Sequence, residues 1–432
     1  MRKLSVTVLA GLVIVSCAAL AGDWPQFLGP NRDGVSPETG LARTWPEGGP
    51  KELWKLDMGP GFGPAAIVAG KVYIMDHKGD QDLLRCLDLA KGTEEWSYSY
   101  DAPGKVSGGY PGPRSTPAVD DKYIFTIGVF GHVKCFAREG KKGDDGKVTH
   151  EPLWSKNLTD EEFGSKLPQW AFSQSPLVYK DMVIIAPQSK NVGVAALDKA
   201  TGAVKWKSGP TGAGVITYCS PMLAKIGGKD QIVMESGDRD KGVRVNGIDP
   251  ADGKILWTYS GWKCDIPVPS PTAIGDGRFF VTGGYRSGCA MFKVEAKTDG
   301  TFDVKELWKN ADAGSHANNP ILWKDHLYFA SNQNKASGLV CLDLEGNIKW
   351  QTKNAPAIDK GGMVMADGLL YLEDGSGGFL RLIDANPEAY KELAKAKVLA
   401  GSEIWGPLSL SDGKLVLRDQ KQVKCLDVSA GK

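Results

Sequence analysis

One short phrase recurs along the chain. "RCLDLAKGTEEW", "AALDKATGAVKW", "NGIDPADGKILW" and "VCLDLEGNIKW" each read as a strand, a tight polar turn and a second strand ending on tryptophan. "KCLDVSAGK" begins the phrase at the C-terminus and stops before the tryptophan. A period of about fifty residues describes stacked supersecondary units, each unable to bury its apolar face alone. Each unit reads as four strands. A Ser/Gly/Asn-Pro step leads into an inner strand, a second strand such as "GKVYIMD" follows, the third ends in "LD", and the fourth carries the tryptophan.

The number of units fixes the architecture. Pro steps stand at Pro64, Pro117, Pro176, Pro221, Pro271, Pro320 and Pro407, with Met363 in the remaining place, giving eight inner strands. The tryptophans are seven: Trp54, Trp96, Trp154, Trp206, Trp257, Trp308 and Trp350. Trp54 precedes the first full unit, and the last unit lacks its fourth strand, so the two ends are complementary. A ring left open there would expose raw strand edges. The expected fold is all-β: an eight-bladed β-propeller of four-stranded antiparallel blades over residues 51–432, closed by an N-terminal strand, residues 51–57, that completes the last blade. A solenoid would carry distinct capping repeats instead. In the seventh unit "NPEAYKELAKAKVL" replaces the fourth strand and reads as a short helix followed by a strand near Val398.

The repeated residues read as turn and packing devices. Asp88, Asp198, Asp249, Asp343, Asp384 and Asp427 precede turns whose N–H groups a carboxylate can accept, while Ala137 and Lys293 hold that place in two units. The tryptophans wedge between neighbouring sheets, each burying on the order of 150–250 Å². Cys86, Cys135, Cys341 and Cys425 share one repeat position. Equivalent positions lie about one repeat apart, beyond the roughly 7 Å between Cα atoms that a disulfide tolerates, so they read as buried thiols. A single bridge between Cys219 and Cys264 is the one alternative.

Residues 1–21 read as a secretory signal peptide: two charges, a short apolar run and small residues at Ala19-Leu20-Ala21. A competing lipobox, Ile14-Val15-Ser16-Cys17, would leave Cys17 lipidated and is the only route to a membrane in this reading. The first is favoured because Ser before the Cys is a weaker choice than Gly or Ala. Either way the product is exported, periplasmic or extracellular, or tethered to the outer membrane. Residues 22–50 read as an extended N-terminal segment. Lys+Arg 52 against Asp+Glu 51 leaves no field to attract nucleic acid. A monomer is expected.

The set "LDxxTGxxxW" with a preceding "SPxxxxGxVY" resembles the pyrroloquinoline quinone (PQQ)-type repeat shared by quinoprotein alcohol dehydrogenases and the BamB outer-membrane assembly lipoproteins. The mature start "DWPQFLGPNRDGVSPETGL" is similar to the opening of quinoprotein dehydrogenases. More closely, the whole chain resembles small secreted PQQ-like propellers of planctomycete-type bacteria. The dehydrogenase resemblance would imply PQQ on the propeller axis over a tryptophan, an adjacent Cys-Cys disulfide, Ca²⁺ held by Glu, Asn and Asp, and an aspartate base. This sequence has no adjacent cysteines, and no residue set matches those ligands. No catalytic residue and no metal ligand are carried over. PQQ and calcium rest on the resemblance alone.

The segments entering the inner strands would line one mouth of the central channel. They offer Tyr110, Arg114, Trp170, Gln174, Tyr218, Trp262, Lys263, Asp265, His316, Asn318 and Trp405 as ligand-binding candidates. Aromatic planes among amide, guanidinium and imidazole donors suit sugars, quinones or peptide side chains. The alternative is that the aromatics plug the channel and Arg114 only satisfies carbonyls at the strand starts. Three functions follow as expectations: a non-catalytic binding or scaffold module for a protein or glycan partner, a PQQ/Ca-dependent oxidoreductase, or a BamB-like assembly factor.

Overall fold

The computed structural model describes residues 22–212, 217–238, 242–333 and 337–431. The signal-peptide reading and Cys17 lie outside them. Eight antiparallel sheets of four strands are arranged in sequence, beginning with Ala66–Asp101 as blade one and ending with blade eight. Blade eight joins Ser409–Ser411, Lys414–Arg418 and Gln422–Asp427 to Lys51–Asp57 from the other end of the chain. The closing ladder pairs Lys51 with Asp427 and Leu56 with Val423. The ring is therefore closed as the complementary ends require.

Each blade repeats one local device. Between its third and fourth strands the register slips by a residue next to the repeat tryptophan or its equivalent. Such a bulge adds twist and re-aims the side chain beyond it. Opposite the indole sits a residue of modest size: Cys86 faces Trp96, Cys135 faces Trp154, Cys341 faces Trp350 and Cys425 faces Trp54. This is why cysteine recurs at that position. All seven described cysteines are buried and free, Cys219 and Cys264 included.

Most of the repeat tryptophans latch one blade to the next. Trp154 Nε1 donates to Lys199 O (2.9 Å), Trp206 to Pro250 O (3.0 Å), Trp308 to Leu344 O (2.8 Å) and Trp350 to Asn386 O (2.8 Å). The acceptors lie in the turns that the repeat aspartates build. Asp198 Oδ1, for example, accepts the N–H groups of Ala200 and Thr201. The two blades that lack the aspartate also lack the latch. Before the blade with Ala137, Trp96 stacks on His150 from an inserted hairpin, 4.0 Å between centroids. Before the blade with Lys293, Trp257 Nε1 turns back to Gln231 Oε1 of its own blade at 2.6 Å.

The seventh blade departs from the sequence expectation. Among the described residues no helix forms there; the fourth strand is Glu392–Lys397, paired antiparallel with Phe379–Asp384. Ala, Leu and Lys favour helix locally, but the open edge of the sheet supplies a full ladder of hydrogen bonds and a half-buried face, which outweighs propensity.

The N-terminal segment threads the hub. Trp24 exchanges two 2.7 Å backbone hydrogen bonds with Ile67 on the inner strand of blade one, and Val119 N donates to Pro25 O on blade two. Arg32 Nη1 donates to Pro176 O at the start of blade three. Val35–Ser36 then adds a parallel strand to Met363–Ala366 of blade seven. The segment thus satisfies inward-facing strand edges that would otherwise line an open tube.

Candidate functional site

The inner strands crowd the axis, and the residue before each Pro step bears the consequence. Thr116 N donates to Ser175 Oγ, Ser175 N to Ser220 Oγ, Ser220 N to Ser270 Oγ, and Ser270 N to Asn319 Oδ1, at 2.8–3.2 Å. A girdle of side-chain oxygens thereby ties blades two to six. On the other side of the ring glycines replace it, because the backbones touch. A Cβ on Gly63 would stand 2.4 Å from Ser115 O, and one on Gly406 would stand 2.6 Å from Phe62 O.

Above this girdle the entering segments enclose a cavity of about 620 Å³ on the axis. Phe27 of the N-terminal segment reaches it together with Ser220, Asn319 and Pro407 of the girdle level. The threaded segment thus contributes part of the cavity wall.

One wall is aromatic. Phe62 and Trp405 stack with centroids 5.4 Å apart at 17°, and Tyr110 meets both edge-on. Tyr110 holds a left-handed φ of 60°. Across the pocket Trp170 packs against Tyr218 at 5.7 Å, with Gly108 so close that a Cβ would come 2.2 Å from the indole. That contact explains the glycine.

The charged groups on the cavity wall are Arg114 and Lys360, the second ion-paired with Asp359 just outside it. The Arg114 guanidinium lies 5.4 Å from the Phe62 ring centroid and donates to the carbonyls of Gly112 and Tyr110 in its own loop. Burial lowers its pKa to about 10. Lys360 Nζ sits 4.3 Å from the Trp405 centroid and 3.2 Å from Asp359 Oδ1, whose other oxygen accepts Trp405 Nε1 at 3.2 Å. His316, edge-on to Tyr285, is pushed down to about 4, first by burial and then by Lys360, so it is neutral at pH 7. Its Nδ1 faces the Asn332 amide at 3.2 Å, which is no nucleophile. Asn318 donates to the carbonyls of Lys360 and Gly361 and so fixes the lysine loop.

Seven of the eleven candidate residues meet at this cavity: Tyr110, Arg114, Trp170, Tyr218, His316, Asn318 and Trp405. Four lie elsewhere. Gln174 is buried beneath the wall, donating to Ala186 O and Thr217 O. Trp262 turns into the core between blades four and five and donates to Ser287 O at 2.9 Å. Lys263 and Asp265 are exposed and point outward, because residues 262–265 alternate like a strand around the buried Trp262 and Cys264. Ile266 and Val268 of the same segment face the cavity instead. Phe27, Phe62, Tyr285 and Lys360 also line the cavity and were not among the candidates. Phe62 was findable, since it stands two residues before Pro64 as Trp405 stands before Pro407. Lys360 was hidden because its blade has Met363 where the others have proline.

The donor set does not fit calcium-bound PQQ. Among the described residues the cavity wall carries no carboxylate, and no three His, Cys, Asp or Glu converge anywhere. A divalent cation on that wall would instead meet the like charges of Arg114 and Lys360.

Fold and pocket together define an eight-bladed β-propeller with an aromatic axial pocket that carries Arg114 and Lys360. A family described as outer membrane protein assembly factor BamB matches residues 111–352, more than half of the chain, and the protein belongs to this family of PQQ-like propellers. Among solved structures, a europium-containing methanol dehydrogenase is 15% identical, with a TM-score of 0.61 over 92% of this chain and 89% of that one. BamB from Moraxella catarrhalis is 15% identical, with a TM-score of 0.58 over 88% and 99%. Quinohemoprotein alcohol dehydrogenase from Comamonas testosteroni is 13% identical, with a TM-score of 0.63 over 95% and 81%. At these identities the likeness is one of fold. No curated protein matches the chain.

Proposed function

We propose that the protein is an exported, non-catalytic propeller that binds an acidic glycan in its axial pocket. The observation that carries this reading is the pairing of the Phe62–Trp405 stack with Arg114 and Lys360 in a wall whose described residues include no carboxylate. Aromatic faces stack on the apolar faces of sugar rings. Guanidinium and ammonium groups supply charge-assisted bonds to a uronate or sulfate. Likeness to the BamB family supports a periplasmic or outer-membrane setting, where such polymers are met.

The test is binding of uronate and neutral oligosaccharides of equal length by calorimetry, for the wild type and for Trp405→Ala. Preferential uronate binding that the variant loses is the expected result. Equal binding of both sugars, or no binding of either, would end the reading.

A quinoprotein oxidoreductase is the second reading. It is supported by the fold likeness to two dehydrogenases and by the axial position of the pocket, against the donor set described above. Reconstitution with PQQ and calcium followed by dye reduction on alcohols separates it from the first.

A further inference from the structure

On the far side of Phe27 the threaded segment buries a second charge. Arg32 is only 3% exposed, yet it forms no ion pair among the described residues. Its Nη1 donates to Gln26 Oε1 at 3.2 Å and to Pro176 O at 3.0 Å, while Nε and Nη2 have no partner. Asp33, the next residue, uses its carboxylate on the Val35 N–H at 3.0 Å instead. Arg32 lines a cavity of about 100 Å³ with a mixed wall, in which Met222, Phe279 and Leu322 are apolar and Asp33, Thr272 and Asn319 are polar. A buried guanidinium left without counter-charge is strongly disfavoured, and native proteins pair such groups.

We propose that this cavity is a structural anion site in which the free Nε and Nη2 of Arg32 hold one halide-sized anion. The volume admits a small anion together with a few waters. The apolar part of the wall favours a weakly hydrated, polarisable ion over fluoride, and the Asp33 carboxylate on the same wall disfavours a multivalent oxyanion. Burial also lowers the Arg32 pKa to about 9, the effect a bound anion would reverse. The Arg32 guanidinium carbon lies 5.5 Å from the Phe27 ring centroid, so the site sets the floor of the axial pocket from below. It stands independently of what that pocket binds.

The experiment is a bromide substitution on the full chain. Crystals grown in bromide should show an anomalous peak at hydrogen-bonding distance from Arg32 Nη2, absent in Arg32→Met. In solution, replacing fluoride by chloride at constant ionic strength should raise the melting temperature of the wild type and not of that variant. Should Arg32→Met fail to fold, the wild-type bromide map decides alone. A wild-type cavity with water or nothing beside Arg32, or an equal chloride effect in both proteins, overturns the assignment.

Discussion

Trp54 donates its indole N–H to the carbonyl of Leu89, 2.8 Å away, so the strand that completes blade eight is also latched to blade one. Closure of the ring therefore rests on two independent contacts of one heptapeptide: a backbone ladder on one side and an indole wedge on the other. The turn that receives the indole is tight. Gly92 has φ 70°, and a Cβ there would come 2.5 Å from the Trp54 ring.

Gly92→Ala is expected to cost about 2–4 kcal/mol, combining left-handed strain with overpacking. Gly79 has a similar φ of 61° but open space around it, so Gly79→Ala is expected to cost only about 1–2 kcal/mol. Urea unfolding of both variants checks the difference. Equal losses would show that the indole contact contributes nothing.

Binding of an acidic ligand at the axial mouth should weaken with salt and with loss of either cation. Lys360→Ala is expected to reduce affinity roughly ten- to a hundredfold, the range of one charge-assisted bond. Neutral analogues should respond to Trp405→Ala but not to Lys360→Ala. Calorimetry at two ionic strengths reads both effects.

Two histidines give opposite pH signatures. His316 has its pKa lowered from 6.5 to about 4, so as pH falls between those values the unfolded chain takes up the proton first and stability is lost. His77 Nδ1 lies 2.8 Å from the buried Asp82, and that bond raises its pKa above 6.5. Its contribution is present below pH 6.5 and disappears as pH rises through the folded value. Denaturation midpoints against pH should lose the acidic slope in His316→Gln and the opposite slope in His77→Gln.

Glu235 is fully buried with neither carboxylate oxygen hydrogen-bonded, and burial raises its pKa well above 4.5. The folded protein keeps this proton while the unfolded chain releases it, so stability falls as pH rises from 4.5. Glu235→Gln should remove its part of that slope and raise stability at pH 7, because the amide needs no proton to be held neutral in the buried site. Unchanged pH dependence would refute it.

The thiols should be silent in the folded protein. Burial pushes Cys86, Cys264, Cys289 and Cys425 up to about 12 and Cys341 up to about 11. Alkylation followed by mass measurement should add nothing to the seven described cysteines under native conditions and label all of them in denaturant. Partial native labelling would place a thiol at the surface.

The blade count, the strand that closes the ring and the roles of Asp88 and Trp54 were legible because each follows from the repeat, and recurrence separates a structural device from a local accident. The entering segments do not recur. Their order along the chain places them at one mouth, which is why Arg114, Trp170 and Trp405 could be named. The direction of each side chain depends on contacts with other segments. Trp262 and Trp405 both stand in segments that lead into an inner strand, yet one packs between blades and the other stacks on Phe62 from the far end of the chain.

By itself the sequence determined that eight four-stranded units close into a ring by exchanging a strand between the chain's two ends, because periodic patterning and complementary edges are local properties. Only the tertiary structure decided that residues 24–36 thread the hub, that Phe27 lines the pocket and that Arg32 is buried beneath it with no ion pair among the described residues. Those facts arise where segments hundreds of residues apart meet around an axis, and no local pattern encodes which of their side chains turn inward.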